Sequence, residues 1–209
     1  MRSLWKGAIS FGLVNVPVRM YAATERQDIK FNYLHQACGT PINYRKMCPV
    51  CEEEVSQEDI VRGYQYAKDQ FVVLTEEELT RPEAEEKAIN IVDFVELAQI
   101  DPVYYDKTYY LEPAQGGKKA YHLLRRAMEQ AGKVGIAKVV IRSKEVIAAI
   151  RVYEQVLAME TMFYRDEVRS ASQLTGLEPV QLDERELKMA LDLITNMATD
   201  FRPESYRDS

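Results

Sequence analysis

Residues 134–163 read VGIAKVVIRSKEVIAAIRVYEQVLAMETMF. Three β-rich runs, Val134 to Arg142, Val146 to Tyr153 and Gln155 to Phe163, follow one another with almost no spacer. Runs of this length, dense in Val and Ile, predict strands. The same pattern recurs upstream. Leu4 to Phe11 is short and mixed, a turn follows at Gly12 to Asn15, and Val16 to Tyr21 alternates. Pro17 has no amide to donate, so it belongs at the start or edge of its strand. Ile29 to Leu34 alternates again, with Lys30 and Asn32 opposite Phe31 and Tyr33. Tyr64 to Leu74 reads as two strands joined through Lys68-Asp69, and Ala88 to Leu97 and Val103 to Leu111 add two more.

Helices are fewer. From Lys118 to Gln130, Ala120, Leu123, Leu124, Ala127, Met128 and Ala131 recur at helical spacing and predict one apolar stripe. Near the end, Asp183 with Glu186 resembles a capping box ahead of Leu187, Ala190, Leu191, Ile194, Met197 and Ala198. Shorter helix starts are expected at Ser56 to Asp59 and at Thr75 to Leu79, with a polar linker from Arg81 to Lys87. No internal repeat is evident. Many short strands with few helices predict a mainly-β fold, a closed β-barrel carrying helical attachments.

The 209 residues are 46% hydrophobic, enough for one substantial core with an appended arm. No apolar run reaches about 18 residues, so no membrane-spanning helix and no membrane partner are expected. The opening MRSLWKG has no apolar signal region, and the expected address is the cytoplasm. The final residues, 202–209, form an abrupt polar run.

The net charge is -6, but it is segregated. Residues 1–51 carry +5, residues 52–101 carry -11, residues 102–151 carry +6 and residues 152–209 carry -6. Charges beyond a Debye length of ~8 Å are largely screened, so a polyanion responds to the local field rather than to the total. An acidic chain is therefore compatible with nucleic-acid binding if the two basic blocks share a surface. Ordinary solvated faces are the competing explanation.

Cys38, Cys48 and Cys51 are an odd number crowded into fourteen residues, which argues for reduced thiols rather than a disulfide framework. With His35 they form two i, i+3 pairs, and tetrahedral zinc wants four N or S ligands. Gly39 and Pro49 suit the turns such pairs require, and Ile42 to Met47 would run between them as a strand. Four protein ligands leave no open position, so the metal would be structural. Two cysteines beside an unrelated histidine, or a redox Cys-x-x-Cys pair lacking its usual βαβ context, are the alternatives.

No phosphate-binding Gly-rich loop or nucleophile elbow is present; the Gly7 to Gly12 spacing is wrong for the latter. His122 stands among Lys118, Lys119, Arg125 and Arg126, which favours surface contact over acid–base work. The acidic runs Glu52–Glu54 and Glu76–Glu78 fit solvated turns. The chain is not expected to be an enzyme.

The stretch WKGAISFGLVNVPV at 5–18, followed by Tyr21 to Glu25, resembles the opening of the prokaryotic Ku family. Collinear matches are Asp59 to Tyr64, Val72 to Thr75, Ile100 to Tyr104, Lys119 to Arg125 and Asp166 to Arg169. The resemblance implies a Ku-type β-barrel with an inserted bridge segment over residues 1–180, a zinc-knuckle-like insert at 35–55, and a C-terminal helical arm over 181–209. It implies a ring-shaped homodimer that binds double-stranded DNA ends independently of sequence in non-homologous end joining, recruits an ATP-dependent DNA ligase and associates with the nucleoid.

By likeness to the family's barrel, Lys6, Arg26, Lys30, Arg142 and Lys144 are expected to contact phosphates, with Lys118, Arg125 and Arg126 behind them. His35, Cys38, Cys48 and Cys51 are the expected zinc ligands, and Leu187, Leu191 and Ile194 the dimer-arm residues. Family members often carry a basic C-terminal tail, and residues 202–209 do not read as one. The alternative from a different class is a zinc-containing scaffold that binds another protein through its acidic segments without direct DNA contact. An enzyme acting on DNA ends would need a catalytic constellation that none of these stretches supplies.

Overall fold

The computed structural model describes residues 1–25, 27, 29–75, 87–141 and 144–206. In chain order its strands are β1 (Trp5–Phe11), β2 (Val14–Ala22), β3 (Arg62–Ala67), β4 (Gln70–Leu74), β5 (Ala88–Val95), β6 (Tyr105–Pro113), β7 (Val134–Ile141), β8 (Lys144–Tyr153) and β9 (Val156–Met162). The α-helices among the described residues are α1 (Lys118–Ala131) and α2 (Glu184–Met197). Met1–Val168 and Arg169–Ser209 are separate compact units.

Seven strands close into a barrel in the order β1-β2-β6-β9-β8-β7-β5. The three runs at 134–163 are its antiparallel β7-β8-β9 wall, with a tight turn at Glu154-Gln155 between β8 and β9. The barrel closes through a short parallel seam, Ala8↔Ala88 to Ser10↔Asn90, between β1 and β5. Alternation decides which side chains face inward. Val16, Val18 and Met20 of β2, Leu111 of β6 and Leu157 and Met159 of β9 fill the interior, while the intervening residues face out.

Pro17 lies within β2 rather than at its start. It precedes the first β2–β6 pair, Val18↔Pro113, so β6 asks nothing of its missing amide, and its carbonyl accepts from Ala114 N–H at 2.9 Å. Gly7 is required at the closing seam. A Cβ there would fall 1.9 Å from the Lys87 carbonyl oxygen and 2.2 Å from the Trp5 ring.

One mouth of the barrel is plugged by α1. Its buried residues are Tyr121, Leu124 and Met128, and all three belong to the barrel core. The predicted stripe is therefore rotated, with Tyr121 inside and Leu123 68% exposed. Buried Tyr121 donates its hydroxyl to the Leu111 carbonyl at 2.6 Å and accepts from Leu157 N–H at 2.7 Å. Leu111 and Leu157 are cross-strand partners, so one phenol satisfies backbone groups of both β6 and β9 where the ladder ends. Gly132, left-handed at φ 62°, ends the helix. The opposite mouth is an open pocket of about 680 Å³, lined by apolar Trp5, Met20, Tyr109, Ile141, Val146 and Met162.

Some predicted elements are not regular structure. Ile29 to Leu34 and Ile42 to Met47 are irregular, with isolated bridges Leu34↔Pro41 and Met47↔Glu54. Phe31 and Tyr33 are exposed, so the alternation there has no sheet against which to bury a face. Ser56 to Asp59 forms a turn closed by a 2.7 Å bond from Ser56 Oγ to Asp59 Oδ2, which uses the capping carboxylate on a side chain instead of a helix amide. Val103 and Tyr104 belong to a 3₁₀ turn in which Asp101 accepts from Val103 N–H at 2.9 Å. The helix start expected after Thr75 and the linker up to residue 86 lie outside the described residues. The β3–β4 hairpin forms a two-stranded sheet with nearly every residue exposed.

In the second unit, Asp183 caps α2 by accepting from Arg185 N–H at 2.7 Å. No residue of α2 is buried; Leu187, Leu191 and Ile194 are 49%, 54% and 66% exposed.

Candidate nucleic-acid interface

Cross-strand partners share a face of a barrel, so register maps its outer wall. Lys6 of β1 faces outward directly beside Arg19 of β2, and Arg19 stands beside Glu112 of β6. Arg19 Nε lies 3.5 Å from Glu112 Oε2, and the same oxygen accepts from Tyr21 OH at 2.7 Å. That bond to Glu112, first among its causes, holds the Tyr21 phenol above its ordinary pKa.

Further round, Arg151 of β8 grips Glu160 of β9 with contacts of 2.7 and 2.9 Å and lies over the Tyr153 ring. Glu160 is only 7% exposed, so the pair is largely withdrawn from water. Its hydrogen bonding to Glu160 raises the Arg151 pKa against the opposing effect of burial. Burial likewise raises the Tyr105 phenol beside this pair.

The expected phosphate contacts fall into three groups. Lys6, Lys30, Lys118 and Arg126 are exposed and have no carboxylate within ion-pair range among the described residues. Lys144 and Arg125 are already engaged. Lys144 Nζ lies 3.3 Å from Glu167, a contact that reinforces the Tyr164 amide in holding the Glu167 carboxyl low. Arg125, expected on the side of its helix away from the apolar stripe, instead stands at the stripe's edge. Its side chain is 18% exposed, 3.5 Å from Glu129 and 3.4 Å from the Glu154 carbonyl. Arg26 and Arg142 lie outside the described residues. Lys6 and Lys144 share the barrel wall, Lys118 and Arg126 share α1, and Lys30 stands in an irregular segment.

Sequence reasoning missed the Arg19–Glu112–Tyr21 chain and the Arg151–Glu160 pair as units. Alternation along 16–21 puts Arg19 and Tyr21 on the polar face. Their partners depend on strand order, which a local pattern does not encode.

The cysteine segment has a repeated backbone. His35 N–H donates to Thr40, Gly39 N–H to His35 and Ile42 N–H to Tyr33. Thirteen residues later, Cys48 N–H donates to Glu53, Glu52 N–H to Cys48 and Val55 N–H to Lys46. Gly39 and Glu52 occupy equivalent left-handed positions at φ 67° and 55°. Two copies of one knuckle are present although their sequences hide it, because only the turn geometry is shared.

Each knuckle brings its own pair together. His35 Nδ1 lies 3.1 Å from Cys38 Sγ. The Thr40 hydroxyl and amide lower the Cys38 pKa, and the amides of Cys51 and Val50 lower that of Cys48. Such donors favour thiolates, the form that binds metal. The two pairs do not meet: among the described residues no three His, Cys, Asp or Glu side chains are grouped to hold an ion. The donor types and turns fit zinc, while the fourfold geometry is not assembled.

A seven-stranded barrel plugged by one helix, bearing a double-knuckle loop, an exposed hairpin and outward cations, defines a class of β-barrel scaffold. Residues 10–189 match the Ku70/Ku80 β-barrel domain, and the chain belongs to the Ku family. It is 51% identical over 211 residues to the non-homologous end joining protein Ku of Symbiobacterium thermophilum, covering all of this chain and 52% of that protein. It is 48% identical to the protein of the same name from Bacillus subtilis, covering all of this chain and 68% of the relative. For the Archaeoglobus fulgidus Ku protein the identity is 43%, with all of this chain and 83% of the relative covered. The chain thus spans about half the length of the Symbiobacterium relative. No helix among the described residues is long and apolar enough to cross a membrane.

Proposed function

We propose that this chain binds the ends of double-stranded DNA without regard to sequence, as a ring-shaped homodimer in non-homologous end joining. The observation that carries the reading is the match of residues 10–189 to the Ku barrel. A ring accounts for sequence independence: threading requires an end, and phosphate contacts position a protein without reading bases. Lys6, Lys30, Lys118 and Arg126 supply the first contacts. Lys144 and Arg125 would have to exchange a carboxylate for a phosphate, and Arg26 and Arg142 complete the proposed set. The role is that of a non-enzymatic scaffold in the nucleoid that recruits an ATP-dependent DNA ligase. Leu187, Leu191 and Ile194 contact the second subunit as part of the arm, an assignment supported by the exposed apolar face of α2.

Zinc is proposed as a structural ion that draws the two knuckles together through His35, Cys38, Cys48 and Cys51. One zinc per purified chain, lost in Cys51→Ser, is the expected metal analysis; substoichiometric zinc in the unaltered protein refutes it.

The end-binding test compares linear and covalently closed duplex of one sequence across a salt series. Strong linear-only binding that weakens steeply with salt is expected. Equal binding to both forms refutes the ring, and binding to neither refutes direct DNA contact.

A further inference from the structure

The outer wall of the barrel contains one electrostatic anomaly. Arg19, Lys138 and Arg151 each have a carboxylate on an adjacent strand: Glu112, Glu145 and Glu160, at 3.5, 3.9 and 2.7 Å. Lys6 does not. Its directly opposed neighbour across the β1–β2 ladder is Arg19, a second cation. Like charges directly opposite each other destabilise a sheet, since paired strands lie only about 4.8 Å apart.

A substitution at Lys6 could remove the repulsion, because the position is exposed and packs nothing into the core. The arrangement is also poorly neutralised from within. Glu112 Oε2 lies 3.5 Å from Arg19 Nε, and that oxygen already accepts from Tyr21. Arg19 Nε is buried without a hydrogen-bond partner, and no acceptor for the rest of the guanidinium is found among the described residues. Glu112 and Tyr21 therefore locate Arg19 without saturating it.

Two neighbouring cations set against the single carboxylate of Glu112, one a planar fork with spare donors and the other a point charge, suit an anion bridging the two strands. A phosphodiester fits it: the guanidinium can address two oxygens while the ammonium neutralises the same group. We infer that Lys6 and Arg19 form a phosphate clamp on the barrel wall that takes a backbone phosphodiester of duplex DNA, with Glu112 and Tyr21 as positioning residues. The inference rests on the DNA-binding reading above and deepens it by adding Arg19 and by tying Lys6 to a stability cost.

The test is Lys6→Glu, with Lys6→Met as a neutral companion, in the full chain. Lys6→Glu places opposite charges across the ladder, so its thermal midpoint should rise while its affinity for linear duplex falls. Losing one phosphate contact per subunit lowers the salt slope by about 0.9, so between about 50 and 200 mM salt the unaltered protein should lose about 3.5-fold more affinity per subunit than either variant. Arg19→Gln should flatten the slope by the same amount.

If the unaltered protein binds linear duplex and the variants keep its slope, the clamp is wrong while end binding survives. If the unaltered protein binds no duplex at any salt, the end-binding reading fails and the clamp with it. Millimolar inorganic phosphate is the remaining arm. A phosphate-induced rise in thermal midpoint that Lys6→Glu abolishes, together with unchanged DNA slopes, would assign the pair to free phosphate and overturn the DNA assignment. A lower thermal midpoint in Lys6→Glu would remove the electrostatic premise.

Discussion

Replacing Tyr121 by Phe removes a single oxygen and tests how the barrel is closed. The hydroxyl bridges the Leu111 carbonyl and the Leu157 amide at 2.6 and 2.7 Å, and the residue is 2% exposed. Phe keeps the ring packed among the core residues, so the transfer and cavity contributions are small. What remains is two buried backbone groups without a partner, each costing about 1–3 kcal/mol, or about 3 kcal/mol together.

For a chain of this size about 3 kcal/mol lowers the thermal midpoint by roughly 6–12 °C. Urea unfolding at a fixed protein concentration is the assay, with the m-value checked for constancy. A second readout comes from pH. Burial raises the Tyr121 pKa above 10, so its contribution is complete below pH 10 and is lost as the phenol is forced to ionise above it. Stability should fall more steeply above pH 10 in the unaltered protein than in the variant. A loss below about 0.5 kcal/mol with unchanged alkaline behaviour would show that the helix closes the barrel by packing alone, refuting the backbone-satisfaction argument.

Gly7→Ala should cost more than about 3 kcal/mol, since its Cβ would meet the Lys87 carbonyl oxygen at 1.9 Å and the Trp5 ring at 2.2 Å. Trp5 is the only tryptophan, so a red shift of its fluorescence should accompany the loss, and an unshifted, fully stable variant would contradict the seam geometry. Glu160→Gln leaves Arg151 partly buried without its charge partner, and a cost of about 2–3 kcal/mol is expected in urea unfolding because Arg151 remains 26% exposed. No measurable change would mean that the pair contributes nothing net. Glu52→Gly relieves a left-handed backbone at φ 55°, so amide exchange over residues 46–55 should slow by about fivefold to tenfold. Faster exchange would place the strain elsewhere.

The strand pattern at 134–163 made the barrel wall readable because each run alternates or is buried on both faces, and hydrophobic period is a local property. The family opening at 5–18 was readable for a different reason: a long specific string needs no geometry. Registers were not readable. Lys6 and Arg19 are thirteen residues apart in sequence and become neighbours only because the intervening turn tightens to Gly12-Leu13 and starts β2 at Val14. Periodicity places Leu123 rather than Tyr121 in the stripe because both sit near it, and a phenol is polar unless a backbone partner takes its hydroxyl. The alternation of Ile29 to Leu34 misled because alternation predicts a strand only where a neighbouring strand exists to pair with it.

The ion pairs bear on how an acidic chain can hold DNA. The basic blocks at 1–51 and 102–151 carry +5 and +6, yet Arg19, Arg45, Arg125, Lys133, Lys138, Lys144 and Arg151 all have carboxylates within 4 Å. A phosphate attracted to one of these sites must displace or share an internal partner, so each yields less than an unpaired lysine would. Counting Lys and Arg would therefore overstate the salt slope, because about half of the described cations in these blocks already hold an internal carboxylate. On the proposed reading, enclosure makes up the difference. A duplex threaded through a ring leaves only by sliding off an end, so residence depends on topology while modest phosphate contacts permit movement along the backbone. On that reading the carboxylates paired with these cations compete locally with phosphate at an open face, and enclosure is what retains the duplex.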